Sequence, residues 1–264
     1  MLLSLYDEII LKISEFMTDR EKIYLSMTSK RMDQLKYKIR YVELVSVLDI
    51  RSLPYFDNFE CVHAHMIISL DKIPKHVKYV HIVTTETNIP RFVTHLTFAF
   101  NFDKPINNCI PSSVTHLFFG AYFNQSVDDC IPNSVTHLGF GWDFDKPINQ
   151  CLPTSITHLT FGRNFNQPID KCIPALVTHL TFGFFFNKSI KDCIPASVTH
   201  LEFGFHFDQP IDGCIPQSIV KLTFGKNFNQ LINNFIPQSV KKIILHKCYD
   251  QNISQGLAAK IKRI

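Results

Sequence analysis

The sequence of 264 residues lacks the patterns that mark membrane-spanning, secreted and nucleotide-binding proteins. No apolar run approaches the roughly 18 residues that a transmembrane helix needs. The first residues reach Asp7 and Glu8 without a basic start, which does not fit a secretory signal peptide. Glycine-rich phosphate loops and serine nucleophile elbows are absent as well. We therefore expect a soluble protein of the cytoplasm that has no membrane partner.

An excess of charge of one sign is also missing over most of the chain. The 27 Lys and Arg residues outnumber the 23 Asp and Glu residues, and the surplus lies after Pro237, where basic residues dominate. A protein that holds nucleic acid along its body needs a basic face to neutralise phosphates. The neutral body therefore predicts that nucleic acid is not a partner.

What the chain does contain is a repeat with a period of 21 residues. Counting a recurrent proline as position one, position four is Val or Ile, position seven Leu or Ile, and position nine Phe or Leu. Position thirteen is aromatic and position seventeen is Ile or Val. A fixed period of this length is the signature of a solenoid, in which each repeat forms one rung and stacks on the next. The prolines are Pro90, Pro111, Pro132, Pro153, Pro174, Pro195, Pro216 and Pro237.

Each rung carries the pattern of one short strand. In segments such as VTHLTFG the apolar positions seven and nine flank a polar one, so positions six and eight face outward. Glycine at position ten is expected to end the strand where the chain turns, and Asn or Asp at position fourteen is expected to bond turn backbone. Eight such strands stacked about 4.8 Å apart give a parallel sheet roughly 35 Å long.

Both ends depart from the repeat, as capping segments do. We expect irregular rungs over residues 41–89, the solenoid over 90–253 and a basic, amphipathic cap over 254–264. Residues 1–40 differ, because their apolar residues fall at helical spacing and predict a short helical hairpin. Thr18 or Asp19 is expected to cap its second helix, with Glu21 in the first turn.

The repeated string resembles the FNIP repeat, a relative of the leucine-rich repeat seen mainly in social amoebae and giant DNA viruses. The resemblance rests on FNQPI at 165–169, followed by CIP and by VTHLTFG-like segments, and it covers about residues 90–255. It implies a leucine-rich-repeat-like solenoid with a parallel sheet. The aromatic at position thirteen and the Asx at position fourteen do not fit the leucine-rich pattern, so the convex side should differ. For a viral chain the implied location is the host cytoplasm.

Residues 5–35 resemble the F-box, whose pattern runs LPxEI, then Ile, Leu, a polar turn and SKRW. Tyr6 stands where Pro is usual and Met32 where Trp is usual. The matches in order and spacing are Leu5, Glu8, Ile9, Ile13, Met17, Ser29, Lys30 and Arg31. The resemblance implies docking on the Skp-type adaptor of a cullin ubiquitin ligase. The implied adaptor-binding residues are Leu5, Ile9, Ile10, Ile13, Phe16, Met17, Ile23 and Met32.

An F-box followed by a repeat array is the architecture of a substrate-recognition subunit, which binds the adaptor through its helices and a target protein through its repeats. Two alternatives stay open: the helices could serve only as the solenoid's cap, or the array could be an interaction scaffold without ligase coupling. No catalytic residues are predicted, because the Asp residues at position fourteen are a whole rung apart and alternate with Asn. The chain is therefore not expected to be an enzyme.

Target recognition is expected where the repeats differ. Positions eight and eleven vary between rungs that are otherwise nearly identical, and aromatic, Trp and Arg side chains are the usual hot-spot types. The alternative is that some of these side chains tuck into the turns between rungs. The predicted partner-binding residues are Phe100, Phe118, Trp142, Arg163, Phe184, Phe205 and Lys226.

Two further ladders are expected to be structural. The histidines at position six, from His95 to His200, should face outward and pair with neighbouring threonines, and Lys221 continues the series in a way that metal coordination does not favour. The cysteines at position twenty, from Cys109 to Cys214, share a slot that the next rung fills with Phe. They are therefore predicted to be buried thiols. No metal and no cofactor are expected.

Overall fold

The computed structural model describes residues 2–65, 73–149 and 151–264, with the side chains of residues 2–5 and 65 outside that description. The chain divides into two compact units. The first comprises residues 1–84 together with 92–95, and the second comprises residues 85–91 together with 96–264.

The first unit begins with three helices where the sequence predicts a hairpin of two: α1 (Leu2–Ser14), α2 (Asp19–Ser26) and α3 (Lys30–Leu35). Thr18 caps α2 in a capping box, as expected. Its hydroxyl accepts a hydrogen bond from the Glu21 N–H at 3.3 Å, and the Glu21 carboxylate accepts one from the Thr18 N–H at 2.7 Å. The additional helix α3 has its own cap, because the Ser29 hydroxyl accepts a hydrogen bond from the Met32 N–H.

A buried ion pair anchors α2. Lys22 is 2% exposed, and its ammonium donates to the Asp19 carboxylate at 2.7 Å and to the Arg40 carbonyl oxygen at 2.8 Å. The same carboxylate accepts hydrogen bonds from the N–H groups of Val42 and Glu43. Buried charges are tolerated when they are paired and hydrogen-bonded. The inward face of α2 is therefore polar, and the chain at 40–43 holds it in place.

Short parallel strands complete the first unit. β1 (Val45–Ser46) leads into helix α4 (Val47–Ile50), and a 3-10 turn (Phe56–Asn58) precedes β2 (Cys61–His65) and β3 (Tyr79–Thr84). β1 pairs with β2, and β2 pairs with β3.

The second unit is the repeat array, and each rung contributes a strand of three or four residues. From β5 onward each strand pairs in parallel with the next, and equivalent positions are partners, as His137 is of His158. The predicted parallel-sheet solenoid with 21-residue rungs is confirmed. Its strands are β4 (His95–Phe98, of which the last three residues belong to this unit), β5 (His116–Phe118), β6 (His137–Gly139), β7 (His158–Thr160), β8 (His179–Thr181), β9 (His200–Glu202), β10 (Lys221–Thr223) and β11 (Lys242–Leu245).

Residues 254–264, which the sequence presents as an amphipathic cap, extend the sheet. A short helix, α5 (Gln255–Ala258), precedes β12 (Ile261–Arg263), and β12 pairs in parallel with β11. Lys262 and Arg263 are exposed on this last strand. Charged residues on an edge strand discourage pairing with other chains.

The core of the second unit consists of ladders of equivalent side chains. Positions four, seven, nine, thirteen and seventeen are buried in every rung except at Ile253. Within a rung the rings at positions nine and thirteen stack, as Phe161 and Phe165 do with centroids 4.0 Å apart. Between rungs Phe165 lies 6.1 Å from Phe186. Each rung therefore buries its aromatic rings against those of its neighbours.

Glycine at position ten follows the strand and begins the turn, as expected, because the Phe165 N–H donates to the Gly162 carbonyl oxygen at 3.4 Å. Glycine is also required there by the close approach of neighbouring rungs. A Cβ at Gly162 would overlap the carbonyl oxygen of Gly141, and the same overlap recurs along the array from Gly120 to Gly225. None of these glycines has a positive φ. The left-handed backbone lies instead at position nineteen, where Asn, Asp and Gly predominate.

Asn and Asp at position fourteen join the rungs. The side-chain oxygen of each accepts a hydrogen bond from the N–H of the same position one rung later, as Asp145 does from Asn166 at 2.9 Å. This pattern runs from Asp103 to Asp250. The predicted bonding of turn backbone is thus present, and the acceptor and the donor lie in adjacent rungs.

We expect Gly162→Ala to destabilise the array, because the added methyl group overlaps the Gly141 carbonyl oxygen and forces two rungs apart. Overpacking of this kind costs about 1 to 3 kcal/mol, which urea denaturation followed by circular dichroism measures. Gly256→Ala is the matched control, because nothing lies within 4 Å of its added Cβ. Equal unfolding midpoints for the two variants would contradict the explanation.

Candidate functional site

The helices of the first unit present apolar side chains to solvent. Ile9 and Ile13 are each 49% exposed, Phe16 is 91% exposed and Ile23 is 39% exposed. Ile10, Met17 and Met32 are half-buried, and the side chain of Leu5 lies outside the described residues. Every predicted adaptor-binding side chain that the structure describes is therefore at least partly accessible. Three further exposed apolar side chains in these helices were not predicted: Tyr6, Tyr24 and Met27.

The buried side chains that the structure describes in α1 and α2 are polar. Ser14 and Ser26 are buried, and their hydroxyls donate to the carbonyl oxygens of Leu11 and Ile23, each at 2.6 Å. Together with the buried Asp19–Lys22 pair, these bonds satisfy the inward side chains. The buried residues described in α1 and α2 are thus polar, and the exposed positions carry apolar side chains such as Ile9 beside charged ones such as Lys12.

Tyr6, which replaces the proline usual in the F-box pattern, has a contact of its own. The Arg31 guanidinium lies 4.7 Å from the Tyr6 ring centroid and donates to the Asp7 carboxylate at 2.7 Å. These contacts tie the N-terminal part of α1 to α3.

In the second unit, the residues at position eleven follow the strands and form a strip along the array. Phe100 and Trp142 are 55% and 58% exposed, and Arg163 and Lys226 are exposed as well. Phe184 and Phe205 are half-buried, because neighbouring side chains cover part of each ring. Position eleven of the remaining central rung is Ala121, which is buried. The predicted partner-binding residues at this position therefore all reach the surface.

Aromatic rings meet at one end of this strip. Phe100 contacts Tyr122 with centroids 4.8 Å apart, and it contacts Trp142, two rungs away, at 5.9 Å in an edge-to-face arrangement. The small side chain of Ala121 leaves room for the rings of Phe100 and Trp142 to meet. The result is an exposed aromatic trio of Phe100, Tyr122 and Trp142.

At the other end a column of rings lies between two cations. The Arg163 guanidinium lies 4.6 Å from the Phe184 centroid, Phe184 stacks on Phe205 at 4.7 Å, and the Lys226 ammonium lies 5.7 Å from the Phe205 centroid. Cation–π contacts of this kind hold a charged group in place without neutralising it. The column therefore keeps two fixed positive charges at the surface.

Sequence reasoning missed position twelve. Tyr122, Phe185 and His206 stand there, and the Phe185 and His206 rings stack at 5.0 Å beside the column. Variation between rungs would have identified them, because position twelve varies as much as position eleven does. We define positions eleven and twelve of the second unit as the variable strip.

Position eight is only partly a recognition position. Phe118 is 43% exposed, and its ring occupies the space that a side chain at residue 139 would need. Gly139 at this position therefore accommodates the Phe118 ring. The variation from Phe to Gly between these two rungs is a packing requirement of the sheet face.

The histidines at position six form a stack on the outward face of the sheet. Ring centroids of successive histidines from His116 to His200 lie 4.0 to 4.3 Å apart, and the rings are nearly parallel. His137 Nδ1 lies 3.0 Å from the Thr136 hydroxyl, which itself donates to the Thr115 carbonyl oxygen. Each of these imidazoles thus shares a hydrogen bond with the hydroxyl of the threonine that precedes it. The same arrangement holds at His158, His179 and His200.

Parallel stacking does not suit a shared metal ion, because the lone pairs of neighbouring rings do not converge on one point. Across the described ranges, no group of three or more His, Cys, Asp or Glu side chains is arranged to hold a metal. The pairing with threonine is the structural arrangement that the sequence suggests for this ladder.

The histidine stack is sensitive to protonation. Burial lowers the pKa values of His116, His137, His158 and His179, and charge on the neighbouring histidines lowers them further. Lys221 adds to this effect at His179.

The cysteines at position twenty are packing residues. Cys172, Cys193 and Cys214 are buried, and the earlier cysteines of the series are half-buried, so the expectation of buried thiols holds for the later rungs. Burial raises the pKa of Cys193 to about 11 and that of Cys151 to about 12, with a smaller contribution from nearby carboxylates. Thiols with raised pKa values are weak nucleophiles.

We expect the array to lose stability as the pH falls below about 6.5, the pKa of an unperturbed histidine. Folding lowers the pKa of the stacked histidines, so between the folded and unfolded pKa values the unfolded chain binds more protons, and acid favours unfolding. Melting temperatures between pH 7.5 and 5 test this, and His158→Gln should flatten the dependence. His76→Gln, at an exposed histidine outside the stack, is the control; identical slopes for the wild type and His158→Gln would contradict the prediction.

None of the helices in the described part of the chain has the length and hydropathy needed to cross a membrane. The FNIP repeat model matches residues 84–122, 123–164, 148–185, 165–206, 186–226 and 207–248, which together span more than half of the chain. A solved structure described as the crystal structure of CroV588, a novel circular LRR protein, is similar with a TM-score of 0.66 and 32% identity. The similarity covers 86% of this chain and only 36% of that one. No curated protein matches. The regular rungs and these matches show that the chain belongs to the FNIP repeat family.

Proposed function

We propose that the chain is a substrate-recognition subunit of a cullin-type ubiquitin ligase. In this role, the first unit docks on a Skp-type adaptor and the repeat array binds a target protein in the cytoplasm. The observation that carries the proposal is the set of apolar side chains that these helices expose, among them Ile9, Ile13 and Ile23. The buried side of α2 is held by the Asp19–Lys22 ion pair and its hydrogen bonds to residues 40–43.

These exposed apolar side chains argue against a role limited to capping. A helix that only covers the end of a solenoid buries its apolar face. Here Ile9, Ile13 and Phe16 lie on the exposed side of α1 and its C-terminal turn, and burying such side chains against a partner is favourable by about 1.5 to 3 kcal/mol each. The order and spacing of the F-box-like residues fit an adaptor as that partner.

The repeat array supplies the second half of the proposed function. Repeat solenoids present extended binding surfaces, and their side chains can vary there without cost to the fold. The variable strip has this character, because its aromatic and cationic side chains are accessible while the core positions stay nearly constant. Nothing in its chemistry suggests catalysis, and the array is proposed to act by binding alone.

The alternative is an interaction scaffold that has lost its adaptor, and the departures at Tyr6 and Met32 favour it. Proline at position 6 would interrupt α1, in which Tyr6 lies. Met32→Trp is therefore the cleaner test. If the native segment has lost its affinity for the adaptor, Met32→Trp should restore adaptor binding. Strong adaptor binding by the wild-type protein would contradict the scaffold alternative.

We expect the double variant Ile9→Asp, Ile13→Asp to lose binding to a purified Skp-type adaptor, because two carboxylates would be buried without partners at the interface. The loss should reach at least about thirtyfold. Both side chains are 49% exposed in the free protein, so its circular dichroism spectrum should not change. Lys12→Asp, at an exposed polar position of the same helix, is the matched control. A folded wild-type protein that does not bind the adaptor would overturn the ligase proposal.

We expect Trp142→Ala and Phe165→Ala to separate binding from stability. Trp142 is exposed, so its truncation should change the free energy of unfolding by no more than about 0.5 kcal/mol while reducing partner capture. Phe165 is fully buried, and its loss should cost about 3 to 5 kcal/mol. Thermal melts and quantitative proximity labelling measure the two effects. If Trp142→Ala unfolds the protein and leaves the labelled proteins unchanged, the strip is structural.

A further inference from the structure

The variable strip contains more cations than acids. Arg163, Lys226 and Lys247 stand at position eleven and are exposed, whereas the strip has a single acid, Asp143, whose carboxylate accepts a hydrogen bond from the Asn164 amide at 3.0 Å. Within the described ranges, neither Arg163 nor Lys226 forms an ion pair with a carboxylate. The second half of the strip therefore carries more positive than negative charge, and the nearest acid to Lys226 in their shared pocket is Asp208 at position fourteen.

These charges are held in position before any ligand binds. Arg163 contacts the rings of Phe184 and Phe185, at 4.6 and 5.5 Å from their centroids, and Lys226 contacts the ring of Phe205. A cation that is already placed on a ring loses less conformational freedom when it pairs with an anion. A guanidinium can also offer its edge to a carboxylate while its face stays on a ring.

The other half of the strip is apolar. Phe100, Tyr122 and Trp142 are each more than half exposed, and their rings contact one another around the buried Ala121. Aromatic side chains of this kind take an apolar side chain as an anchor. An apolar site and an acidic site thus follow one another along the same strip.

The rung spacing fixes how far apart the matching groups of a ligand must be. Parallel strands lie about 4.8 Å apart, so Arg163 lies one rung and about 5 Å beyond Trp142, and Lys226 lies three rungs and about 14 Å beyond Arg163. An extended chain rises about 3.3 Å per residue. Roughly four residues of an extended peptide therefore separate the carboxylates that would meet Arg163 and Lys226.

We infer that the variable strip binds an extended acidic segment of a protein. The segment places an apolar side chain on the aromatic trio and two carboxylates, about four residues apart, at Arg163 and Lys226. This inference names the partner class for the array and rests on the proposal that the array binds protein. A nucleic acid is the less favoured ligand, because the array as a whole is nearly neutral and lacks the basic face that a phosphate backbone requires.

A randomised twelve-residue peptide library, selected against the full-length chain, tests the inference. The selected peptides should be enriched in Asp and Glu on one side of an apolar residue, and selection against the double variant Arg163→Gln, Lys226→Gln should lose the acidic bias. Lys146→Gln, at an exposed lysine outside the strip, is the matched control and should keep it. A labelled single-stranded DNA oligonucleotide serves as the competing ligand class.

Fluorescence anisotropy with the best selected peptide gives the magnitudes. Removing both cations should weaken binding roughly tenfold, as expected of exposed charge pairs. Higher salt should weaken it in the wild type more than in the double variant. Trp142→Ala should weaken binding about thirtyfold.

The outcomes separate the inference from the proposed function. Selected peptides without an acidic bias would overturn the inference that the ligand is acidic, and so would equal peptide binding by the wild type and the double variant. If Trp142→Ala still weakens peptide binding in that case, the proposal that the array binds protein stands. No peptide enrichment, or tighter binding of the oligonucleotide than of any peptide, would overturn both the inference and the array's proposed role. Adaptor binding through Ile9 and Ile13 is measured independently and is unaffected by either result.

Discussion

The close approach of one rung to the next is the constraint on which the second unit depends. At position ten the backbone of each rung comes so near the preceding carbonyl oxygen that only glycine fits from Gly120 to Gly225. Because every rung has 21 residues, this contact places each position directly on its equivalent in the next rung. The Phe stacks, the Asx ladder and the histidine stack all follow from that one register. A side chain is therefore selected for how it packs against a copy of itself.

Self-stacking also explains how stability and recognition are separated in this fold. The inward positions must match their neighbours, so they stay almost constant, whereas positions eleven and twelve lie beyond the strand and can differ from rung to rung. Where an outward position does meet its neighbour closely, as Phe118 meets Gly139, variation becomes a packing matter. The surface that is free to vary is thus a strip at one end of the strands.

The helices of the first unit are stabilised by polar contacts and not by stacked repeats. Helix α2 is held by polar contacts of Asp19 and Lys22 with the chain at 40–43, while apolar side chains of α1 and α2 stay exposed. Exposed apolar side chains carry a solubility cost, and this supports the docking role proposed for the helices. Both units therefore expose apolar side chains at positions that a second protein could cover.

The sequence alone determined the period, the strand in each rung and nearly all of the buried positions, because alternation along one chain is visible in the letters. It also located the helical segment and most of the residues that reach the surface. The tertiary structure decided what depends on distances between rungs or between elements. It showed that glycine at position ten admits a neighbouring backbone and that Gly139 accommodates the Phe118 ring. It also added a strand within residues 254–264 and brought Tyr122, Phe185 and His206 into the strip. Such contacts join residues about one period apart, and a pattern read along a single chain carries no information about the space between them.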